Sequence, residues 1–109
     1  MKQQTETDLV RGCLALLKLR GYMAWRNNTG AYAATYKGKR RFIRYGAPGS
    51  PDILAIEPPH GRLLAIECKL PGRKTTAAQK EFLARVGQAG GRAFVVHSIE
   101  ELEAGFLME

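Results

Sequence analysis

Three residues in the middle of the chain carry charge where the surrounding pattern is apolar. Asp52 opens the run DILAIE, and Glu67 and Lys69 sit inside RLLAIECKL with Cys68 between them. Side chains alternate faces along a strand. Glu67 and Lys69 therefore share a face with Leu63 and Ala65, while Leu64, Ile66 and Cys68 share the other, which reads as core. PPHG between the runs reads as a turn, so the two runs are expected to pair as neighbours. Pairing Glu57 with Arg62 puts Asp52 directly opposite Glu67. Opposed residues in an antiparallel pair have Cβ atoms about 4.5–5.5 Å apart. Two carboxylates at that distance repel unless something positive stands between them. A hard divalent cation, Mg2+ or Mn2+, answers that need, with two carboxylates and a backbone carbonyl as ligands and positions left for water. Such an ion acidifies a bound water and neutralises charge on a scissile phosphate. The Lys69 ammonium can position the attacking water or stabilise the transition state. The plainer alternative is an exposed hairpin with an ordinary Glu67–Lys69 pair, worth about 0–1 kcal/mol.

Other elements must hold those strands in place. TETDLVRGCLALLKLRGY reads as an amphipathic helix, with Thr5 as N-cap, Val10, Cys13, Leu14 and Leu17 at helical spacing, and Gly21 as its stop. YMAWRNN reads as a short strand broken by Asn-Asn-Thr-Gly, with Trp25 expected in the core. AYAATYKGKRRFIRYG has the form of a hairpin turning at Gly38, with Tyr32 and Tyr36 on one arm and Phe42 and Tyr45 on the other. In APGSP, two prolines fix φ and Gly49 permits a close backbone approach. Thr76 and Gln79 match a capping box for a second helix with Phe82, Leu83 and Val86 as its apolar stripe, ending at Gly90-Gly91. RAFVVH reads as a buried strand, and Ser98 with Glu101 as a capping box for a last short helix, IEELEAGFL. His60 falls in a turn and His97 at a strand end. The order α-β-β-β-β-β-α-β-α predicts an α/β fold, a mixed β-sheet flanked by α-helices.

Composition narrows the function. A chain of 109 residues suits one compact domain. No apolar stretch approaches the ~20 residues of a membrane helix, and the N-terminus lacks the apolar run of a signal peptide. Cys13 and Cys68 are expected as reduced thiols, and no CxxC or paired histidines suggest zinc. The net charge of +7 is lopsided: residues 1–50 hold ten Lys/Arg against two acids, residues 51–109 seven against eight. A basic half-chain points to a polyanion, nucleic acid before membrane.

PD followed by ECK resembles the PD-(D/E)xK nuclease superfamily. More narrowly, RNNTG, GAPGSPDILAI, a glycine turn and AIECKLPGRKTTAAQKEFL, in that order between Glu6 and His97, resemble the VRR-NUC domain, the virus-type replication-repair nuclease module. The chain is similar to the minimal stand-alone members found in phages and bacteria. The resemblance implies a restriction-endonuclease-like fold over residues 1–109 and metal-dependent hydrolysis of DNA phosphodiesters. It implies Asp52 and Glu67 as metal ligands with the Cys68 carbonyl contributing, and Lys69 as the catalytic lysine. Glu6 would match the family's first-helix acid and Gln79 its glutamine after the core motif. Both also have a purely structural reading: the helix dipole favours any acid in a first turn, Asp8 included, and Gln79 completes the cap with Thr76. The resemblance further implies a homodimer, branched or Holliday-junction-like DNA as substrate, and the cytoplasm of a bacterial cell or phage-infected host. The rival is a non-catalytic nucleic-acid-binding module on the same fold.

Candidate DNA contacts follow from charge and position. Lys37, Lys39, Arg40, Arg41 and Arg44 form the densest basic run, interleaved with aromatics suited to stacking on an unpaired base. Arg26 ends a strand, Ser50 lies beside Asp52, and Lys74 precedes the second helix. Neutralising Lys39, Arg40 and Arg41 together should weaken DNA binding and flatten the slope of log K against log salt by about 2–3. An unchanged slope in a salt titration would remove the hairpin from the phosphate contacts.

Overall fold

The computed structural model describes residues 3–28 and 30–106. The elements are α1 (Glu6–Leu19), β1 (Met23–Arg26), β2 (Gly30–Tyr36), β3 (Lys39–Tyr45), β4 (Ile53–Glu57), β5 (Arg62–Cys68), α2 (Ala77–Gln88), β6 (Arg92–Val96) and α3 (Ile99–Phe106), in the predicted order. Thr29, in the predicted break after β1, and Leu107, the predicted last residue of the final helix, lie outside the described residues.

Local chemistry sets the helix starts. The Thr5 hydroxyl accepts from the Asp8 N–H, and the Asp8 carboxylate accepts from the Thr5 N–H. Thr76 and Gln79 do the same for α2, so each helix satisfies two otherwise unpaired N–H groups. α3 departs from the expected pattern. Ser98 Oγ accepts from the Glu101 N–H, but the Glu101 carboxylate turns back to the N–H and ring Nδ1 of His97. The acid thereby bridges to the end of β6.

The main sheet has strand order β1-β4-β5-β6, with β1, β4 and β5 antiparallel and β5 parallel to β6. The β4–β5 register pairs Ile53 with Ile66 and Glu57 with Arg62, as the sequence predicts. One sheet face packs on α1 and α3: Ile53, Ala55, Leu64, Ile66, Cys68 and Val96 meet Leu9, Val10, Cys13, Leu17 and Leu102. α2 lies against β5 and β6, and Ala65 is fully buried beneath that side of the sheet.

The β2–β3 hairpin forms a separate two-stranded sheet, and β1 takes the place beside β4. One expectation needs correction. Trp25 is not core: it pairs with Leu54 on the face away from α1 and is 40% exposed. α2 covers the β5–β6 half of that face and leaves the β1 half open.

Gly49 sets the loop that delivers Asp52. Its φ is +75°, and a Cβ there would lie 2.4 Å from the Ala78 carbonyl oxygen at the start of α2. Glycine alone satisfies both demands. Gly49→Ala should cost more than about 1 kcal/mol, seen as a fall in melting temperature of at least about 4 °C. An unshifted melting curve would show that the loop and α2 do not pack this closely.

Candidate active site

The register brings Asp52 and Glu67 to the same end of the β4–β5 pair, on the face opposite α1. Asp52 stands just before β4, and its Oδ2 accepts the Cys68 N–H at 2.8 Å. That bond fixes the Asp52 carboxylate against β5, one residue from Glu67. The Asp52 main chain is also tied down, since its carbonyl accepts the Asn27 N–H at 2.7 Å. The Asn27 side chain donates to Ser50 Oγ at 2.8 Å and to the Pro51 carbonyl at 3.0 Å. Asn27 thus latches the end of β1 to the loop carrying Ser50 and Asp52. The Asn-Asn pair read from sequence only as a turn.

Glu67 is 2% exposed, and its Oε2 is buried with no hydrogen-bond partner among the described residues. Burial, followed by the hydrogen bond and negative charge of Asp52, pushes its carboxyl up to about 8. Lys69 acts in the opposite direction, and Glu6 adds a further like charge. The half-buried Lys69 is held at the sheet end by its own N–H, which donates to the Val96 carbonyl at 3.0 Å.

Glu57 shows what a buried carboxylate on this sheet looks like when it is satisfied. It lies on the opposite face, where Tyr22 Oη donates to it at 2.9 Å, Arg62 Nε at 2.6 Å and Arg92 at 2.6 Å. Burial alone would raise its pKa. The hydrogen bonds from Arg62, Tyr22 and Arg92, with the Arg92 charge, hold it below the ordinary carboxylate value. Arg92 also donates to the Gly105 carbonyl, which ties α3 to this cluster. Sequence reading missed Glu57 as a buried anchor. The signal was its shared strand parity with Ile53 and Ala55.

The other predicted residues are spread over the fold. Glu6, exposed at the start of α1, reaches the site through its charge on Glu67. Gln79 is half-buried, with its side-chain oxygen engaged by Thr76. The Cys68 thiol is buried in the core against Cys13; that hydrogen bond, and burial, raise its pKa and keep it a neutral packing group. Arg26 and Lys74 are exposed, and Arg26 shares the parity of Ile53 rather than of Asp52. Lys37, Lys39, Arg40, Arg41 and Arg44 all lie on the separate β2–β3 hairpin or its turn. A groove of about 860 Å³ lined by Pro48, Leu63, Phe82 and Val86 lies along α2 and does not include Asp52, Glu67 or Lys69.

Among the described residues, no three His, Cys, Asp or Glu side chains converge to hold a metal ion. The donor set on offer is two carboxylates and the Cys68 main-chain carbonyl. All are oxygens, the ligands a hard divalent cation takes. The unpartnered Glu67 oxygen beside a second carboxylate fits such an ion, which would satisfy that oxygen and neutralise the pair.

The chain is similar to known proteins in sequence and in fold. The sequence profile of the VRR-NUC domain matches residues 5–100. A protein of Acyrthosiphon pisum secondary endosymbiont phage 1, titled "Putative nuclease p44", is 36% identical over 58 residues, which are 53% of this chain and 61% of that protein. A solved structure titled "VRR_NUC domain" superposes with a TM-score of 0.63 over 91% of this chain and 90% of that one, at 21% identity. At that identity the likeness establishes the fold.

The raised Glu67 pKa makes stability depend on pH. An unfolded Glu ionises near 4.3, whereas folded Glu67 holds its proton up to about 8. Between those values the folded chain binds the extra proton, so this contribution to stability is full below the window and is lost as pH rises through it. In metal-free denaturant titrations, wild type should lose stability from pH 5 to pH 9. Glu67→Gln should lose less and should exceed wild type at pH 9 by at least about 1 kcal/mol, since one pKa unit is worth about 1.4 kcal/mol. Identical pH profiles for the two proteins would show that Glu67 ionises without penalty.

Proposed function

The chain belongs to the VRR-NUC domain family, and on that premise we propose that it is a divalent-metal-dependent DNA endonuclease, its domain spanning residues 1–109. The observation that carries the reading is the buried Glu67 carboxyl set against Asp52, with its Oε2 lacking a partner among the described residues. Left to itself this arrangement is unfavourable, and a module that only bound nucleic acid would gain by losing either acid.

Asp52 and Glu67, with the Cys68 carbonyl, would hold Mg2+ or Mn2+. Once bound, the ion supplies an acidified water and a positive charge for the scissile phosphate. The residues of the chain do the positioning. The Cys68 N–H fixes one Asp52 oxygen and leaves the other to the site. Lys69, on the Glu67 face, orients the attacking water or meets charge developing on the phosphate. Ser50 accepts from Asn27 and keeps its own O–H proton to donate to a phosphate oxygen. Glu6 and Gln79 sit at the N-terminal ends of α1 and α2 and serve as supporting groups. Arg26, Lys37, Lys39, Arg40, Arg41, Arg44 and Lys74 would contact the DNA backbone.

The chain spans about three-fifths of the length of the phage relative it matches. We further propose a homodimer that presents two sites to two strands of branched DNA. The open half of the sheet face, with Met23, Trp25 and Ile56 exposed together, supports a self-association surface. Among the described residues no helix is long and apolar enough to cross a membrane, and the proposed setting is the cytoplasm of a bacterial cell or phage-infected host.

A panel of branched and linear DNAs with Mg2+ or Mn2+ tests the reading. Wild type should cut, and EDTA should stop it. Asp52→Asn and Lys69→Ala should each cut on the order of 100-fold more slowly, with DNA binding retained. Mn2+ should raise the melting temperature of wild type at pH 8 and leave that of Asp52→Asn unmoved. Equal cleavage by all three proteins would exclude Asp52 and Lys69 from the chemistry.

A further inference from the structure

The β2–β3 hairpin is an arm. No other helix or strand among the described residues packs against it, and the Cα radius of gyration, 15.7 Å, exceeds the ~13 Å of a compact chain this long. The turn residues Lys37 and Gly38 both have positive φ, at 50° and 74°, the two-residue turn whose twist matches a tight hairpin. A two-stranded hairpin alone is marginal in water, yet this one leaves its large side chains uncovered. Tyr32, Tyr36 and Tyr45 are 52%, 65% and 48% exposed.

The register sorts those side chains. Gly30 pairs with Tyr45, Tyr32 with Ile43, Ala34 with Arg41 and Tyr36 with Lys39. By strand alternation these eight residues share one face. That face therefore carries three tyrosines along its length, with Arg41 and Lys39 between and beside them. Tyr32 and Tyr45 are neighbours with ring centroids 6.4 Å apart, and the Lys37 ammonium sits 5.5 Å from the Tyr36 ring centre. Phe42, Arg40 and Arg44 are on the opposite face. The sequence holds no acidic residue between Asp8 and Asp52, so nothing on the arm offsets its positive charge and the surface attracts a polyanion.

We propose that the Tyr32–Tyr36–Tyr45 face is a track for unpaired single-stranded DNA, with bases stacked on the rings and phosphates met by Lys39 and Arg41. The proposal rests on the nuclease reading for its partner and refines it: the arm selects DNA that has an unpaired stretch. Rings offer stacking to every base and need no sequence, whereas paired bases in a duplex keep their faces to themselves. Cationic side chains alone do not make that distinction.

The test uses the whole chain in EDTA, so that binding is read apart from cleavage. Fluorescence anisotropy compares a dT20 strand with a 20-base-pair duplex, and a strand carrying 2-aminopurine reports stacking directly. Replacing Tyr32, Tyr36 and Tyr45 together by Ala should weaken dT20 binding at least tenfold, leave duplex binding within twofold and abolish the 2-aminopurine change. The salt slope should stay the same. The corresponding triple Phe variant, which keeps the rings, should bind dT20 within threefold of wild type. Equal losses on dT20 and duplex, no loss on dT20, or failure of the Phe variant would each overturn the track. If wild type binds dT20 in this way but no DNA is cut with Mg2+ or Mn2+, the nuclease reading fails while the track stands.

Discussion

Two carboxylates opposed across the β4–β5 pair impose a repulsion that the sheet must contain. Asp52 is pinned by the Cys68 N–H, and Glu67 is buried beside it with one oxygen unpartnered among the described residues. Neither can move away, because Asp52 is anchored through its own carbonyl and Glu67 lies in a strand whose neighbours Ile66 and Cys68 are fully buried. Glu67 therefore keeps its proton up to about pH 8, and the two like charges face each other at this sheet end only above that range.

The surrounding structure supplies the rigidity that such a site needs. Core packing of α1 and α3 fixes the opposite face of the same strands. The parallel partner β6 receives the Lys69 N–H and so continues the strand past Cys68. At the far end of the β4–β5 pair, Glu57 gathers Tyr22, Arg62 and Arg92 into a satisfied cluster that also reaches α3. The two ends of one hairpin thus treat a buried carboxylate in opposite ways. Glu57 is neutralised within the fold. Glu67 keeps one oxygen without a partner among the described residues, and the oxygen donors around it are of the type a divalent cation takes.

The arm and the open sheet face mark where the body of the fold stops. α2 covers β5 and β6 but not β1, so Trp25 and its neighbours remain exposed. The β2–β3 hairpin leaves the sheet altogether. Both surfaces are dominated by side chains that intramolecular folding would normally bury, and both adjoin the loop that carries Ser50 and Asp52.

Much of this was legible in the chain itself. Period-two alternation over two short runs, a turn of fixed length and the position of two acids were enough to place Asp52 opposite Glu67, because hairpin register follows from local geometry. Capping boxes at Thr5 and Thr76 set their helix starts for the same reason. Trp25 misled because a large apolar residue on a strand signals burial only if another layer covers it, and helix placement is not encoded locally. The Asn27 latch to Ser50 and the contacts of Tyr22 and Arg92 with Glu57 likewise join residues 20 or more positions apart, and the hairpin's separation from the sheet depends on which strand takes the place beside β4. The sequence determined which groups could meet across β4 and β5. Tertiary packing decided which of them would be buried without a partner, since burial is a property of the layers around a strand and not of the strand.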